Sequence, residues 1–432
     1  MLGASALILT VNAWRYPWSN GYDAQEHAAY ADYLVERGAI PTAATNEHYY
    51  TPPGYYGVAG AIDRLGIAVG LREPQQRKLV QLFNVPLVLA TALLAFLLAR
   101  LLWPERRLLQ VAAATFVAFT PVVVKTGAMF HPETLSLFLS ALGLYVAARL
   151  IARGRLGWLP GVALGAVLGA GQLVRSQAAW TFAACALALL LLPAGGVARR
   201  RAVAATLAGM LVGTAALAGW WYVRQTVEYG SPLDYKHTAF TVAGTHPGAS
   251  VGPWTLDRPV WERRPLSFYV DPGLPQLFSR PYRPSYLGAG IPVTYSELWG
   301  DWLGVWRRNP DVSPTRAATR DLGVQNGVGL LPTLLGLAGF VALVARARRR
   351  RDAALLVPAL IAVSLLAYAY FVVAWPSPDG DVLKATYLLT SVPAWAVAAA
   401  YALDRLPRRP LQELAVAALA ISALVELRFV VW

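Results

Sequence analysis

Apolar runs of roughly 17–25 residues recur along the chain between short polar turns, and each is long enough to cross a bilayer as a helix. They lie at Met1–Trp18, Leu79–Leu102, Leu108–Val124, Glu133–Ile151, Trp158–Val174, Ala178–Pro193, Ala202–Val223, Val328–Ala345, Ala353–Trp375, Ala385–Leu403 and Leu411–Trp432. The pattern predicts an all-α polytopic membrane protein with about 11 spans. The first run lacks the basic start and the cleavage site of a signal peptide, so it reads as a span. No internal repeat is apparent, which weakens a transporter built from inverted halves.

Composition agrees. Of 432 residues, 56% are hydrophobic and 14% charged, against about a quarter charged in soluble domains. That excludes a soluble enzyme, a disordered tail and a disulfide scaffold, and the lone Cys185 has no internal partner. A net charge of +14 would suggest nucleic acid if it covered one surface. It does not. The turns Arg100–Arg107, Arg149–Arg155, Arg199–Arg201, Arg346–Asp352 and Asp404–Arg409 hold 17 arginines and three acids, which accounts for the whole excess. These turns alternate with the other connections, so the positive-inside rule places them and the N-terminus in the cytoplasm. The charge therefore reports topology, and nucleic acid is not a partner. Arginine outnumbers lysine 34 to 4, a compositional hint of a GC-rich bacterial genome, and the expected location is a bacterial plasma membrane.

Two substantial segments are left for the outer face. Residues 15–78 form a first outer loop, and residues 224–327 form a long loop rich in Trp, Pro, Tyr and Gly. The second has too few aliphatic runs for an independent core, so it is expected to pack as short helices and loops over a single transmembrane domain covering 1–432.

The chemistry concentrates in the first loop, in Gly21-Tyr-Asp-Ala-Gln-Glu-His-Ala-Ala-Tyr30. Helical spacing puts Asp23, Glu26, His27 and Tyr30 on one face of an interfacial helix. A purely structural reading stands beside this: Asp23-x-x-Glu26 is a capping box. In Glu47-His-Tyr-Tyr-Thr-Pro-Pro-Gly-Tyr-Tyr56, the prolines break the chain before a helix starting near Gly54. There Tyr55 and Tyr56 are either interface anchors or substrate contacts.

This loop resembles that of the GT-C glycosyltransferases, most closely the branch of protein O-mannosyltransferases and lipid A aminoarabinose transferases. Phe130-His-Pro-Glu-Thr-Leu135 resembles the branch's second outer loop, and Trp220-Trp-Tyr-Val-Arg-Gln-Thr-Val-Glu-Tyr-Gly-Ser-Pro-Leu233 resembles its segment leaving the membrane. Lys384-Ala-Thr-Tyr-Leu-Leu389 resembles a late span start where relatives often have Arg at the position of Thr386. The matches follow the expected order from residue 20 to about 400. The resemblance implies a GT-C-like bundle with outer interfacial helices. It also implies an inverting transfer from a polyprenyl-phosphate sugar to an acceptor hydroxyl, with Asp23 as the matching catalytic acid residue. A carboxylate within hydrogen-bond reach removes the hydroxyl proton as attack proceeds, and the phosphate leaving group needs charge stabilisation.

Around Asp23, Glu133 and His27 are candidate acceptor- or base-orienting groups, with Glu26, Tyr55, Tyr56 and His131 as substrate contacts. Glu133 also has a bland reading, a carboxylate at a helix N-terminus. Arg175 interrupts two apolar runs and, with Lys384 and Arg224, is a candidate for the donor phosphate. The alternative reading of Arg175 is snorkelling to the outer surface. Lys125 and Arg428 read as interface anchors. His27, His48 and His131 lie near acids, so a divalent metal is conceivable, although no tight ligand motif is present. Two other functions compete. An O-antigen ligase or polymerase using a lipid-pyrophosphate glycan would depend on His237, His246, Arg258, Arg263, Arg264, Arg280 and Arg283. A lipid-linked substrate flippase would need charges in mid-span, and here they gather at span ends. Sugar, acceptor (protein, lipid or polysaccharide) and carrier length are not specified by sequence.

Overall fold

A computed structural model describes residues 1–193, 196–233, 265–281, 289–307, 314–374 and 383–432. All eleven apolar runs are helical. Helices α1 (Leu2–Arg15), α2 (Ala24–Arg37), α3 (Gly54–Ala68) and α4 (Glu73–Leu102) come first. They are followed by α5 (Arg107–Phe119), α6 (Pro121–Thr126), α7 (Glu133–Ala152), α8 (Trp158–Val174), α9 (Ala179–Leu190), α10 (Val197–Thr214) and α11 (Trp220–Tyr229). Three short helices, α12 (Leu266–Val270), α13 (Gln276–Ser279) and α14 (Gly290–Trp299), precede α15 (Arg316–Val328) and α16 (Leu330–Arg349). The chain closes with α17 (Leu356–Ala374), α18 (Val392–Asp404) and α19 (Arg409–Val430). Among the described residues, six helical stretches are long and apolar enough to cross a membrane, and three shorter apolar helices accompany them.

Local chemistry explains where the helices depart from the apolar runs. Pro121 lacks an N–H and cannot continue a helix, so the expected Leu108–Val124 span divides into α5 and α6 at an extended Thr120. Helices α10 and α11 are continuous through a π-helical stretch, Ala215–Gly219, which lengthens the span to Tyr229. The Lys384-Ala-Thr-Tyr segment opens as a tight 3-10 turn over Ala385–Ser391, relaxing into α18 at Val392-Pro393.

Helices α8 and α10 meet backbone to backbone. A methyl added at Gly165 would stand 2.1 Å from the Met210 carbonyl oxygen, and one at Gly213 would stand 2.3 Å from that of Val162. Small residues at such a seam let dispersion act over the whole contact, the main attraction available inside lipid. Helices α2 and α3 lie at the helix ends remote from the arginine-rich turns. Ala24, Ala28 and Ala31 of α2 pack with Tyr55, Tyr56 and Ala59 of α3, against Val80 and Phe130. Arg77 of α4 fixes both helices, with Nη1 2.5 Å from Asp63 Oδ2 and Nη2 2.6 Å from Asp32 Oδ2.

Gly165→Leu is expected to destabilise the protein by at least about 2 kcal/mol, because the facing helix must separate to admit the side chain. The check is the melting temperature of detergent-purified protein, which should fall clearly below that of the Gly165→Ala variant.

Candidate functional site

The loop after α1 turns at Gly21, whose φ is +106°, and brings Tyr22 inside and Asp23 to the start of α2. Asp23 has φ +52° and ψ +28°, and it is the only non-glycine residue in the left-handed region among the described residues. Aspartate tolerates this conformation better than most side chains, at some cost in free energy. The capping-box reading fails: α2 has no side-chain cap from Asp23. Instead the Asp23 carboxylate points away from the helix, with Oδ2 3.2 Å from Lys384 Nζ and 3.9 Å from His48 Nε2.

Three imidazoles gather beside it. His27, on the first turn of α2, is buried with its ring centroid 4.5 Å from that of His48 and 4.9 Å from that of His131. Its Nδ1 lies 2.8 Å from the Tyr56 hydroxyl. Burial pushes the Tyr56 phenol up, so it stays protonated and can donate to this nitrogen. Burial, and then the neighbouring His48, His131, Arg175 and Lys384, hold His27 well below the usual imidazole range. His131 is lowered by burial and then by Arg175. Both rings are therefore neutral at neutral pH.

Glu133 opens α7 just after Pro132, and Arg175 ends α8. They meet: Arg175 Nε and Nη2 lie 2.8 and 2.7 Å from Glu133 Oε1, with both side chains almost wholly buried. The snorkelling reading of Arg175 is thereby corrected, since a buried carboxylate, and no surface, receives it. Its Nη1 donates to no described residue. Lys384 is buried beside Asp23, and its ammonium lies 5.6 Å from the Tyr22 ring centroid. Thr386 is buried with its hydroxyl unpartnered, two residues after the Lys384 cation.

Asp23, Glu133, His27, His131, Arg175, Lys384 and Tyr56 thus converge. The remaining candidates behave differently. Tyr55 is buried against Phe130 and Tyr56 and belongs to the packing. Glu26 is half-buried, and its carbonyl accepts from Asn46 Nδ2. Arg224 pairs with Glu228 at 2.7 Å, packs on Trp221 and Tyr229, and reaches the Pro41 carbonyl. No described contact takes it to the cluster. Lys125 is no interface anchor: it is 2% exposed and lies 3.6 Å from Glu297 Oε1. Of the ligase set, His237, His246, Arg258, Arg263, Arg264 and Arg283 lie outside the described residues, while Arg280 is exposed at the end of α13. Sequence reasoning missed Tyr22 and Glu297. Tyr22 adjoined the motif but carried no titratable signal, and Glu297 sat in a tract dominated by tryptophan.

Asp23, His27 and His48 each offer a ligand atom within 4.8 Å of the others. One carboxylate and two imidazoles match the donor preferences of zinc-like ions, although Lys384 already faces that carboxylate. Next to the cluster, an apolar groove of about 420 Å³ runs between α14, α16, α17 and α18, lined by Leu298, Trp299, Tyr368, Leu383 and Leu388 among others. Leu383 directly precedes Lys384. A second cavity of about 240 Å³ shares Phe116, Thr120, Trp299 and Pro332 with the first.

Comparison with solved structures shows what this architecture resembles. ArnT from Cupriavidus metallidurans, bound to undecaprenyl phosphate, superposes with a TM-score of 0.51 at 15% identity, over 97% of this chain and 62% of that one. The archaeal oligosaccharyltransferase AglB from Archaeoglobus fulgidus, in complex with an inhibitory peptide and a dolichol-phosphate, gives 0.57 at 16% identity, over 100% and 55%. The chain spans less than two thirds of the length of either protein, and at this identity the likeness is one of fold. Residues 74–222 match the family described as dolichyl-phosphate-mannose-protein mannosyltransferase. No curated protein matches the chain in sequence.

The lowered imidazoles have a measurable consequence. His27 and His131 titrate lower folded than unfolded, so the unfolded chain binds more protons and stability is lost as pH falls below about 6.5. The melting temperature should drop over that range, and His27→Gln should make the drop shallower.

Proposed function

From the GT-C membrane glycosyltransferase fold that this chain carries, we propose that the Asp23 cluster transfers a sugar from a polyprenyl-phosphate donor to an acceptor hydroxyl. In this reading the cluster lies on the outer face of a bacterial plasma membrane, and the anomeric carbon inverts. One observation carries the reading. Asp23 is held in a left-handed conformation that withdraws its carboxylate from helix capping and sets it against Lys384, beside an apolar groove. A charged pair next to an apolar channel suits a ligand with a phosphate head and a hydrocarbon tail. The undecaprenyl phosphate of the ArnT structure and the dolichol-phosphate of the AglB structure support the same donor class.

The chemistry follows from the geometry. The donor phosphate enters beside Lys384 and the unengaged Nη1 of Arg175. As it draws the Lys384 ammonium, it loosens the contact that ties up Asp23, freeing that carboxylate to accept the proton of the acceptor hydroxyl. The acceptor oxygen bonds to the anomeric carbon while the bond from that carbon to the phosphate oxygen breaks. The electron pair leaves with the phosphate, where the two cations stabilise it. A single displacement of this kind inverts the centre. Glu133 keeps Arg175 aligned, and the neutral imidazoles of His27 and His131 line the acceptor side with hydrogen-bonding groups that add no charge. Tail atoms of the carrier occupy the groove that begins at Leu383. The sugar is a hexose or a pentose in this reading; the family matched by residues 74–222 is described by a mannose donor.

Two variants test this in membranes supplied with radiolabelled undecaprenyl-phosphate hexoses and pentoses. Asp23→Asn should lower transfer by 100-fold or more, on the order of 10²–10⁴ for loss of a general base, with normal levels of folded protein. Lys384→Met should lower it by roughly 10–100-fold, as expected for losing a charge-assisted contact, with Lys384→Arg retaining part of the activity. Full transfer by folded Asp23→Asn protein would sink the mechanism.

A further inference from the structure

The catalytic loop is tied to a helix that lies 275 residues further along the chain. Glu297, on α14, is fully buried. Its Oε1 accepts a short hydrogen bond from the Tyr22 hydroxyl and lies 3.6 Å from Lys125 Nζ. Its Oε2 accepts from the Leu303 N–H at 3.0 Å. Lys125 in turn donates to the carbonyl of Gly300 and approaches that of Glu297 at 3.4 Å. The carboxylate thus has a hydroxyl, an ammonium and a backbone N–H as partners, and Tyr22 is its only link to the first loop among the described contacts.

Tyr22 is placed to pass that restraint on. It immediately precedes Asp23 and follows Gly21, so it sits between two positive-φ residues. Its ring centroid lies 5.6 Å from the Lys384 ammonium, the same cation that contacts Asp23, and 5.8 Å from the His131 ring. A side chain anchored at its tip by a buried carboxylate has little freedom, and the neighbouring backbone inherits that restraint. The left-handed conformation of Asp23 needs such support, because strained backbone persists only where its surroundings over-determine it. A neighbouring face of α14 contributes Ile291, Thr294 and Leu298 to the apolar groove. Helix α14 therefore borders the groove and, through Glu297, holds the loop.

We propose that Glu297 is a positioning residue for the transfer reaction, holding Asp23 in register with Lys384 through the Tyr22 hydroxyl. This rests on Asp23 being the catalytic base, as argued above. It assigns part of the active centre to the segment after residue 264.

Tyr22→Phe tests it directly, since the ring is kept and only the hydroxyl is removed. Using the donor that gives most product in the panel above, kcat should fall about tenfold while the donor KM stays within about twofold. Binding of undecaprenyl phosphate should be unchanged. Glu297→Asp, which withdraws the carboxylate by one methylene, should give a similar fall in kcat, and the double variant should fall no further than either single one. Glu297→Gln, which keeps an acceptor oxygen at the original reach, should retain most of kcat in its folded fraction. Should Tyr22→Phe fail to fold, Glu297→Asp against Glu297→Gln makes the same comparison. Wild-type kcat in Tyr22→Phe, or losses that multiply in the double variant, would overturn the proposal. If Asp23→Asn is inactive while Tyr22→Phe is fully active, only the positioning role is lost. If Asp23→Asn is fully active, the base assignment fails first.

Discussion

A charged side chain that leaves water at the end of a membrane helix must find an opposite charge or give up its proton, and Arg175 finds Glu133. That pair joins the start of α7 to the end of α8 and forms the floor on which the other groups of the cluster stand. The same requirement recurs around it. Arg77 compensates Asp63 and Asp32 and so docks α2 and α3 on α4. Lys125 faces Glu297 and so draws α14 onto α6. Each contact joins segments that are distant in sequence. Breaking one partner would leave a buried charge uncompensated, a cost of about 3–5 kcal/mol where both groups are enclosed. Such pairs specify where segments meet more than they add to stability.

Within that frame the charges of the cluster are nearly balanced. Asp23 and Glu133 stand against Lys384 and Arg175, while the imidazoles of His27 and His131 contribute hydrogen-bonding capacity and no charge. In the proposed reaction the balance shifts only when an anionic donor arrives, which makes Asp23 available at the moment a phosphate is present. Leu383, which lines the apolar groove, directly precedes Lys384, so in the proposed reaction the head and tail of the donor occupy adjoining compartments.

The hydropathy pattern located the long apolar helices but not the short helices of residues 266–299 or Arg316–Val328, and the Pro52-Pro53 break correctly marked α3 as starting at Gly54. It could not say which polar groups face one another. Lys125 and Arg175 look alike in sequence, each a lone cation at the end of an apolar run. Yet Lys125 pairs with a carboxylate 172 residues away and Arg175 with one 42 away. Arg224 carries the same local signal and ends up paired with Glu228 one turn along its own helix. Asp23 was ambiguous for a related reason. Capping box and catalytic loop share one spacing, and only the sign of φ separates them. Glu297 was illegible because its significance lies entirely in tertiary contacts with Tyr22 and Lys125.

The backbone at Asp23 also limits what chemistry that position can exchange. Glutamate has the same charge and a longer reach, but it lacks the short side chain that lets aspartate and asparagine enter the left-handed region. Glycine accepts the conformation and has no carboxylate. In the proposed reaction, aspartate is the acidic side chain that suits both the conformation and the proton transfer. Asparagine shares its shape and takes no proton, so exchanging the two separates what the backbone demands from what the chemistry demands.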